Sequence, residues 1–227
     1  MNIIKYVAGR YSELVSEQYF YYTTIVSVGF FLASIATTQF VSAYASRIAS
    51  NPVTDIILSN TPVYNTDGWI VYGALAVAVA IAVLIFLHPK RAPFIFYSLG
   101  LLFFIRAFFM SLTHLGLYPL HTEINFQSRL ALAMFGGGDE FFSGHVSAPF
   151  LMALLFWKDM RLRFSFIFMT FVLGIAVLLG HVHYSIDVAA AFFITYAIYH
   201  ISRRFFSTEY ELFMTTISRH TLWNKKD

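Results

Sequence analysis

Six apolar runs, each bounded by polar or turn-forming residues, constrain this chain more than any other feature. They cover roughly residues 23–45, 68–88, 93–113, 143–157, 164–182 and 184–202. The breaks carry Asn51-Pro52, His88-Pro89-Lys90-Arg91, Lys158-Asp159 and Arg203-Arg204. A helix that crosses a bilayer needs about 20 residues at about 1.5 Å each, and most of the runs supply that. Only 12% of the 227 residues are charged, about half the share of a soluble domain. The expected fold is all-α: a polytopic membrane protein of six transmembrane helices, forming a single membrane domain over residues 1–227.

Six spans place both termini on one side. That side then holds Lys5, Arg10, Lys90, Arg91, Lys158, Arg161, Arg163, Arg203, Arg204, Arg219, Lys225 and Lys226, against Arg47 and Arg129 on the other. Basic residues collect on the cytoplasmic side, so the termini are expected there. Residues 1–22 place Ile4, Val7, Tyr11, Leu14 and Val15 near helical spacing with Lys5, Arg10 and Glu13 between them. This reads as an interfacial helix lying on the cytoplasmic surface, or as an extension of the first span. Residues 1–20 lack a compact apolar stretch with a cleavage site, so the first span is expected to act as an uncleaved anchor. The six-span core then covers 23–205, with a cytoplasmic tail over 206–227. No Cys is present, which removes disulfides and thiolate chemistry, and the net charge of +3 does not point to nucleic acid.

Ionisable side chains at the mouths of apolar helices are costly and mark candidate sites. His183 and Asp187 are four apart, one helical turn. His145 follows Ser143 and Gly144 at the start of the fourth run. Alternation of the spans puts His145, His183 and Asp187 on the same, non-cytoplasmic side, and Arg106, two turns inside the outer end of the third run, can reach that layer. Each group suits phosphoryl chemistry. Asp187 can accept the proton-bearing nitrogen of His183 and leave the other nitrogen to attack phosphorus. His145 can protonate a leaving alkoxide and later deprotonate an acceptor. Arg106 can pair with phosphoryl oxygens, while the amides and glycine of Ser143–Gly144 favour an anion. The fourth run holds 15 residues, about 22 Å of helix against a core of about 30 Å. Its helix is expected either to extend past Lys158 or to have a sunken outer end.

Gly138-Asp139-Glu140-Phe141-Phe142-Ser143-Gly144-His145 resembles a motif of sphingomyelin synthases, and His183-Tyr184-Ser185-Ile186-Asp187-Val188 resembles a second. Arg106 through Thr113, with Pro119 beyond, is similar to a third, and Asn51-Pro52…Asp55…Pro62 is weakly similar to the family's first outer loop. The resemblance runs from about residue 45 to 205. It implies a six-span fold within the type 2 phosphatidic acid phosphatase superfamily, with a His-His-Asp triad in which His183 is the nucleophile and His145 assists the leaving group. It also implies transfer of phosphocholine or phosphoethanolamine from a glycerophospholipid to ceramide. The Lys-led first motif of the phosphatases, and the Arg that precedes their nucleophile, have no counterpart; Ala176 and Val177 occupy the latter region. These departures favour the synthase-like branch.

Plainer readings compete. His183 and Asp187 can form a structural pair, Arg106 can snorkel to the interface, and Asp139 or Glu140 can cap a helix. His181, His114 and His121 read as loop or interface residues. A zinc trio of His145, His181 and His183 is disfavoured because residues two apart point to different helical faces.

The expectation is a membrane lipid phosphotransferase acting through a phosphohistidine, with no metal or organic cofactor. His145, His183 and Asp187 are its catalytic residues. Arg106, Ser143 and Gly144 bind phosphate. Asp139, Glu140 and Tyr184 are candidates for headgroup binding or orientation. Its partners are a membrane phospholipid and a lipid alcohol. The alternatives are a lipid phosphate phosphatase that uses water, and a non-catalytic lipid-binding or transport protein.

Overall fold

The computed structural model describes residues 18–113, 115–120 and 141–223. The described chain is helical, and its order follows the six apolar runs. Helix α1 is Gln18–Arg47, α2 Asp67–Leu87, α3 Ala92–Leu112, α4 Gly144–Leu155, α5 Met160–Leu179, α6 Ser185–Phe205 and α7 Ser207–Trp223. Five of these helices, α1, α2, α3, α5 and α6, are long and apolar enough to cross a membrane, and α4 is a shorter apolar helix. The chain is thus a polytopic membrane protein.

Local chemistry sets most boundaries. Pro89 and Pro93 start the short 3-10 turn Pro89–Arg91 and α3, where a missing N–H costs nothing. Asp159 caps α5 by accepting from the amides of Arg161 and Leu162 at 3.1 and 3.2 Å, so this helix begins four residues before the apolar run does. The 12 residues of α4 span only about 18 Å. Its far end unwinds into a turn at Phe156–Lys158, so the helix does not extend past Lys158. It is also the central helix: Val146, Leu151, Met152 and Ala153 have no exposed surface.

Around α4 lie α5 and α6, while α1 packs chiefly along α3 and α2 along α5. With lipid on the outside, close packing and hydrogen bonds rather than water exclusion hold such a bundle together. The hydroxyl of Thr38 on α1 reaches the Phe103 carbonyl of α3 at 3.1 Å. At the end opposite α4's first turn, α7 closes the bundle. Phe213 is fully buried against Phe94 and Phe156, and Glu209 accepts from Tyr19 at 3.1 Å and Thr23 at 2.9 Å. Arg91, also buried, donates to Thr216 at 3.0 Å and lies over the Phe156 ring.

Residues 1–17 of the expected interfacial helix lie outside the described residues. From Gln18 the chain is already continuous with the first span.

Candidate active site

One end of the bundle gathers the start of α4, the end of α5, the start of α6, the last turns of α3 and the α1–α2 loop. Hydrogen bonds between these segments fix them. Tyr64 donates its amide to Leu179 at 2.9 Å. The Thr66 hydroxyl reaches the Ala176 carbonyl, also at 2.9 Å.

His145 sits in the first turn of α4. His183 lies in the turn before α6 rather than within that helix. The two imidazoles are 6.2 Å apart between ring centres and inclined at 62°. His183 is 3% exposed. Its Nδ1 lies 3.7 Å from Asp187 Oδ2, within ion-pair range but longer than a hydrogen bond. Asp187 is fully buried, and its Oδ2 accepts the Tyr184 amide at 3.0 Å. This bond satisfies a free donor at the helix start and aims the carboxylate at the His183 side.

Arg106 is 8% exposed, in the second half of α3. Its Nε donates to the Phe142 carbonyl at 3.0 Å. Phe142 holds a φ of 43°, a region that bulky residues rarely occupy. The strained residue thus precedes Ser143 directly and is tied to the arginine. A Cβ on Gly144 would meet Arg106 Nε in ordinary contact at 3.5 Å, so the guanidinium lies directly against the helix start. Ser143 is fully buried at the cap position, and its hydroxyl has no hydrogen-bond partner among the described residues. Pro149 removes the amide that would otherwise bond the His145 carbonyl, loosening α4's first turn.

A cavity of about 300 Å³ opens from this cluster. Arg106, Gly144, His145 and His183 line its reactive end. Its walls are otherwise largely apolar, from Phe103 and Leu173 down to Ile85 and Phe96 near the opposite ends of α2 and α3. Such a space, apolar with a few convergent polar groups, is the usual shape of a small-molecule site.

Two residues that sequence reasoning left out of the site hold it in place. Asp55, in the α1–α2 loop, accepts the Ser185 amide and hydroxyl at 2.7 Å each. Its other oxygen accepts the Ile57 and Leu58 amides at 2.8 and 3.0 Å. Asp55 is therefore a cap for α6 supplied from 130 residues away. Burial alone would raise its pKa; the Leu58, Ser185 and Ile57 donors outweigh that and hold the carboxyl below its ordinary range. The signal available in sequence was the Asx-turn spacing of Asp55 to Ile57 and Leu58; nothing marked its bond to Ser185.

His181, read from the sequence as a loop or interface residue, is 2% exposed with a φ of 54°. Its Nδ1 and Nε2 lie 2.8 Å from the Leu120 carbonyl and 3.2 Å from the Thr61 hydroxyl. The Tyr184 ring is buried, and its hydroxyl donates to Gly116 at 2.8 Å while accepting from Val53 at 3.3 Å. Tyr184 thus orients the loops and is not among the cavity-lining residues. Asp139, Glu140, His114 and His121 lie outside the described residues. Among the described residues, no cluster of His, Cys, Asp or Glu is placed to hold a metal ion.

The structure brings His145, His183, Asp187, Arg106, Ser143 and Gly144 to one end and one cavity. Two imidazoles across a narrow gap, a cation beside them and a buried carboxylate behind one of them can transfer a phosphoryl group. A family model described as PAP2 superfamily C-terminal matches residues 136–204, the stretch that carries both histidines and Asp187. Asp55 and Arg106 fall outside it. Searches of the curated proteins and of the solved structures find no match.

Proposed function

We propose that the chain is a membrane lipid phosphotransferase of the sphingomyelin-synthase-like kind, working through a phosphohistidine. One observation carries the reading. His145 and His183 face each other 6.2 Å apart at the mouth of an apolar cavity that Arg106 also lines. The PAP2-type match supports phosphatase or phosphotransferase chemistry in general.

His183 Nε2 attacks the phosphorus of a phospholipid headgroup ester. The bond from phosphorus to the diacylglycerol oxygen breaks, and His145 gives that oxygen a proton. Diacylglycerol leaves, with phosphocholine or phosphoethanolamine held on His183. A lipid alcohol such as ceramide then attacks phosphorus, His145 takes the hydroxyl proton, and the phosphorus–nitrogen bond breaks. Asp187 beside Nδ1 favours the reactive tautomer and offsets the charge that forms on the ring. Arg106 balances the phosphoryl oxygens, and the amides at the start of α4 add a partial positive charge. Asp139 and Glu140 are suited to the headgroup cation. The scheme needs no metal or organic cofactor. Span alternation and the basic-residue bias support a site on the non-cytoplasmic face, with the termini in the cytoplasm.

Purified protein in vesicles of phosphatidylcholine and phosphatidylethanolamine, given labelled ceramide, tests the reading. Labelled phosphosphingolipid together with diacylglycerol is the expected product. Phosphocholine or phosphoethanolamine release with unlabelled sphingolipid would assign water as the acceptor and make the protein a phospholipid hydrolase. Absence of any turnover would leave the non-catalytic lipid-binding reading.

A further inference from the structure

The reacting groups stand at the ends of their helices, yet they are sheltered. His183 is 3% exposed, and His145 Nε2 is a buried atom. Residues 116–120, the segment after α3, cross the same end of the bundle and are tied down along their length. A Cβ on Gly116 would strike the Ser50 carbonyl, so glycine lets this strap run tight against the α1–α2 loop. The Gly116 carbonyl accepts from the Tyr184 hydroxyl at 2.8 Å. The Tyr118 hydroxyl pairs with that of Ser59 at 3.1 Å, and its ring meets those of His181 and Tyr184 edge-on. The Leu120 carbonyl accepts from His181 Nδ1 at 2.8 Å. His181 and Tyr184 flank His183 in the chain. The turn that presents this imidazole to the cavity therefore also fastens the strap.

Leu117 is the strap residue that lines the cavity, together with Arg106, Val182 and His183. It is 41% exposed, so one side of its side chain faces the cavity and the other faces out. An aliphatic group at that border offers water no hydrogen bond. The chemistry inside gives such a border a purpose. A phosphohistidine is open to two nucleophiles. Water and a lipid alcohol attack the same phosphorus, break the same phosphorus–nitrogen bond and give their proton to His145. Water releases free phosphocholine or phosphoethanolamine; the alcohol carries the group away in a new phosphodiester. Excluding water is what protects a reactive intermediate from hydrolysis.

We infer that residues 116–120 form a water seal over the reactive end of the cavity, and that Leu117 sets the share of headgroup passed to a lipid alcohol rather than to water. The alcohol reaches phosphorus along the apolar walls, and the strap holds water off. The product ratio rests on the phosphotransferase reading; the seal itself does not.

The chain has no Cys, so single cysteines report access. The full chain in phosphatidylcholine vesicles carries either Val182→Cys, in the cavity lining, or Asn60→Cys, exposed in the α1–α2 loop, and is labelled with a water-soluble methanethiosulfonate. Val182→Cys should label more slowly than Asn60→Cys. Adding Leu117→Ala to Val182→Cys should speed labelling roughly three- to tenfold, the worth of a half-buried leucine side chain, and adding Leu117→Met should restore the slow rate. Without the added cysteine, and with labelled ceramide supplied, Leu117→Ala should lower the ratio of labelled phosphosphingolipid to free phosphocholine by a similar factor, and Leu117→Met should keep it. Val182→Cys labelling as fast as Asn60→Cys beneath an unaltered strap would overturn the seal. So would a labelling rate that Leu117→Ala leaves unchanged. Faster labelling with an unchanged product ratio would overturn the role of Leu117 in acceptor choice. Slow labelling that Leu117→Ala speeds, in a protein that turns over no lipid, would remove the phosphotransferase reading and leave the seal standing.

Discussion

Asp55→Asn alters one atom and loads its consequence onto the start of α6. In the native loop, one carboxylate oxygen accepts from Ile57 and Leu58 while the other accepts the amide and hydroxyl of Ser185 at 2.7 Å. An asparagine that keeps its oxygen on Ile57 and Leu58 must turn its NH2 toward the Ser185 amide, donor against donor. The hydroxyl can reverse its role; the amide cannot. One hydrogen bond to a charged group is lost, about 1.5–3 kcal/mol. A negative charge at the N-terminus of α6 goes with it, roughly another 0.3–1 kcal/mol. The total is about 2–4 kcal/mol, or roughly 5–15 °C in Tm for a chain of this size. Thermal unfolding of the detergent-solubilised protein measures this, and initial-rate lipid turnover measures the second effect. Ser185 lies two residues from His183, so turnover should fall more than the loss of folded protein explains. Acid should mimic the substitution. The folded pKa of Asp55 lies below its ordinary 3.8, so its stabilisation is fully present above that value and is lost as pH falls below it. A Tm and a turnover rate both equal to those of the intact protein would refute the capping role.

Three further substitutions separate chemistry from scaffolding. Asp187→Asn should reduce kcat by about 10²–10⁴-fold by taking the anion from beside His183, measured by headgroup-transfer kinetics with circular dichroism as the check on folding. Arg106→Lys keeps the charge but loses the planar donor set that holds the Phe142 carbonyl and that the proposed mechanism turns to phosphate, so turnover should fall by about 10²-fold. Tyr184→Phe strips a buried hydroxyl from between Gly116 and Val53 and should cost about 1–3 kcal/mol in unfolding, with less effect on kcat than Asp187→Asn.

The apolar runs gave the helices because a lipid environment leaves the backbone few alternatives. Ends were harder to place. The run at 143–157 becomes a 12-residue helix: Pro149 weakens its first turn, and the chain unwinds before Lys158. The start of α5 at Met160 was signalled by Asp159, whose capping outweighs the weak apolarity of residues 160–163. The tail mixes charged and apolar residues, which hid that Phe213 is a core side chain of a helix.

For the site, span alternation was enough to place His145, His183, Asp187 and Arg106 at one end. It could not place His183 in the turn before α6, or show that Asp187 spends an oxygen on the Tyr184 amide. Asp55, His181 and Tyr184 act through bonds to residues about 60 to 130 positions away, and no local pattern announces such contacts. Gly116 belongs with them: a Cβ there would strike the Ser50 carbonyl, a close approach that only the assembled loops reveal.

In the proposed mechanism, phosphorus passes through the His183 ring. Protein turning over a mixture of phosphatidylcholine and phosphatidylethanolamine without added alcohol acceptor is quenched in alkali, where phosphohistidines persist, digested, and read by mass spectrometry. The expected result is a headgroup phosphoryl adduct on the His183 peptide, absent in His183→Ala and discharged when a lipid alcohol is added. Turnover that continues in His183→Ala, or an adduct on any other residue, would contradict the account.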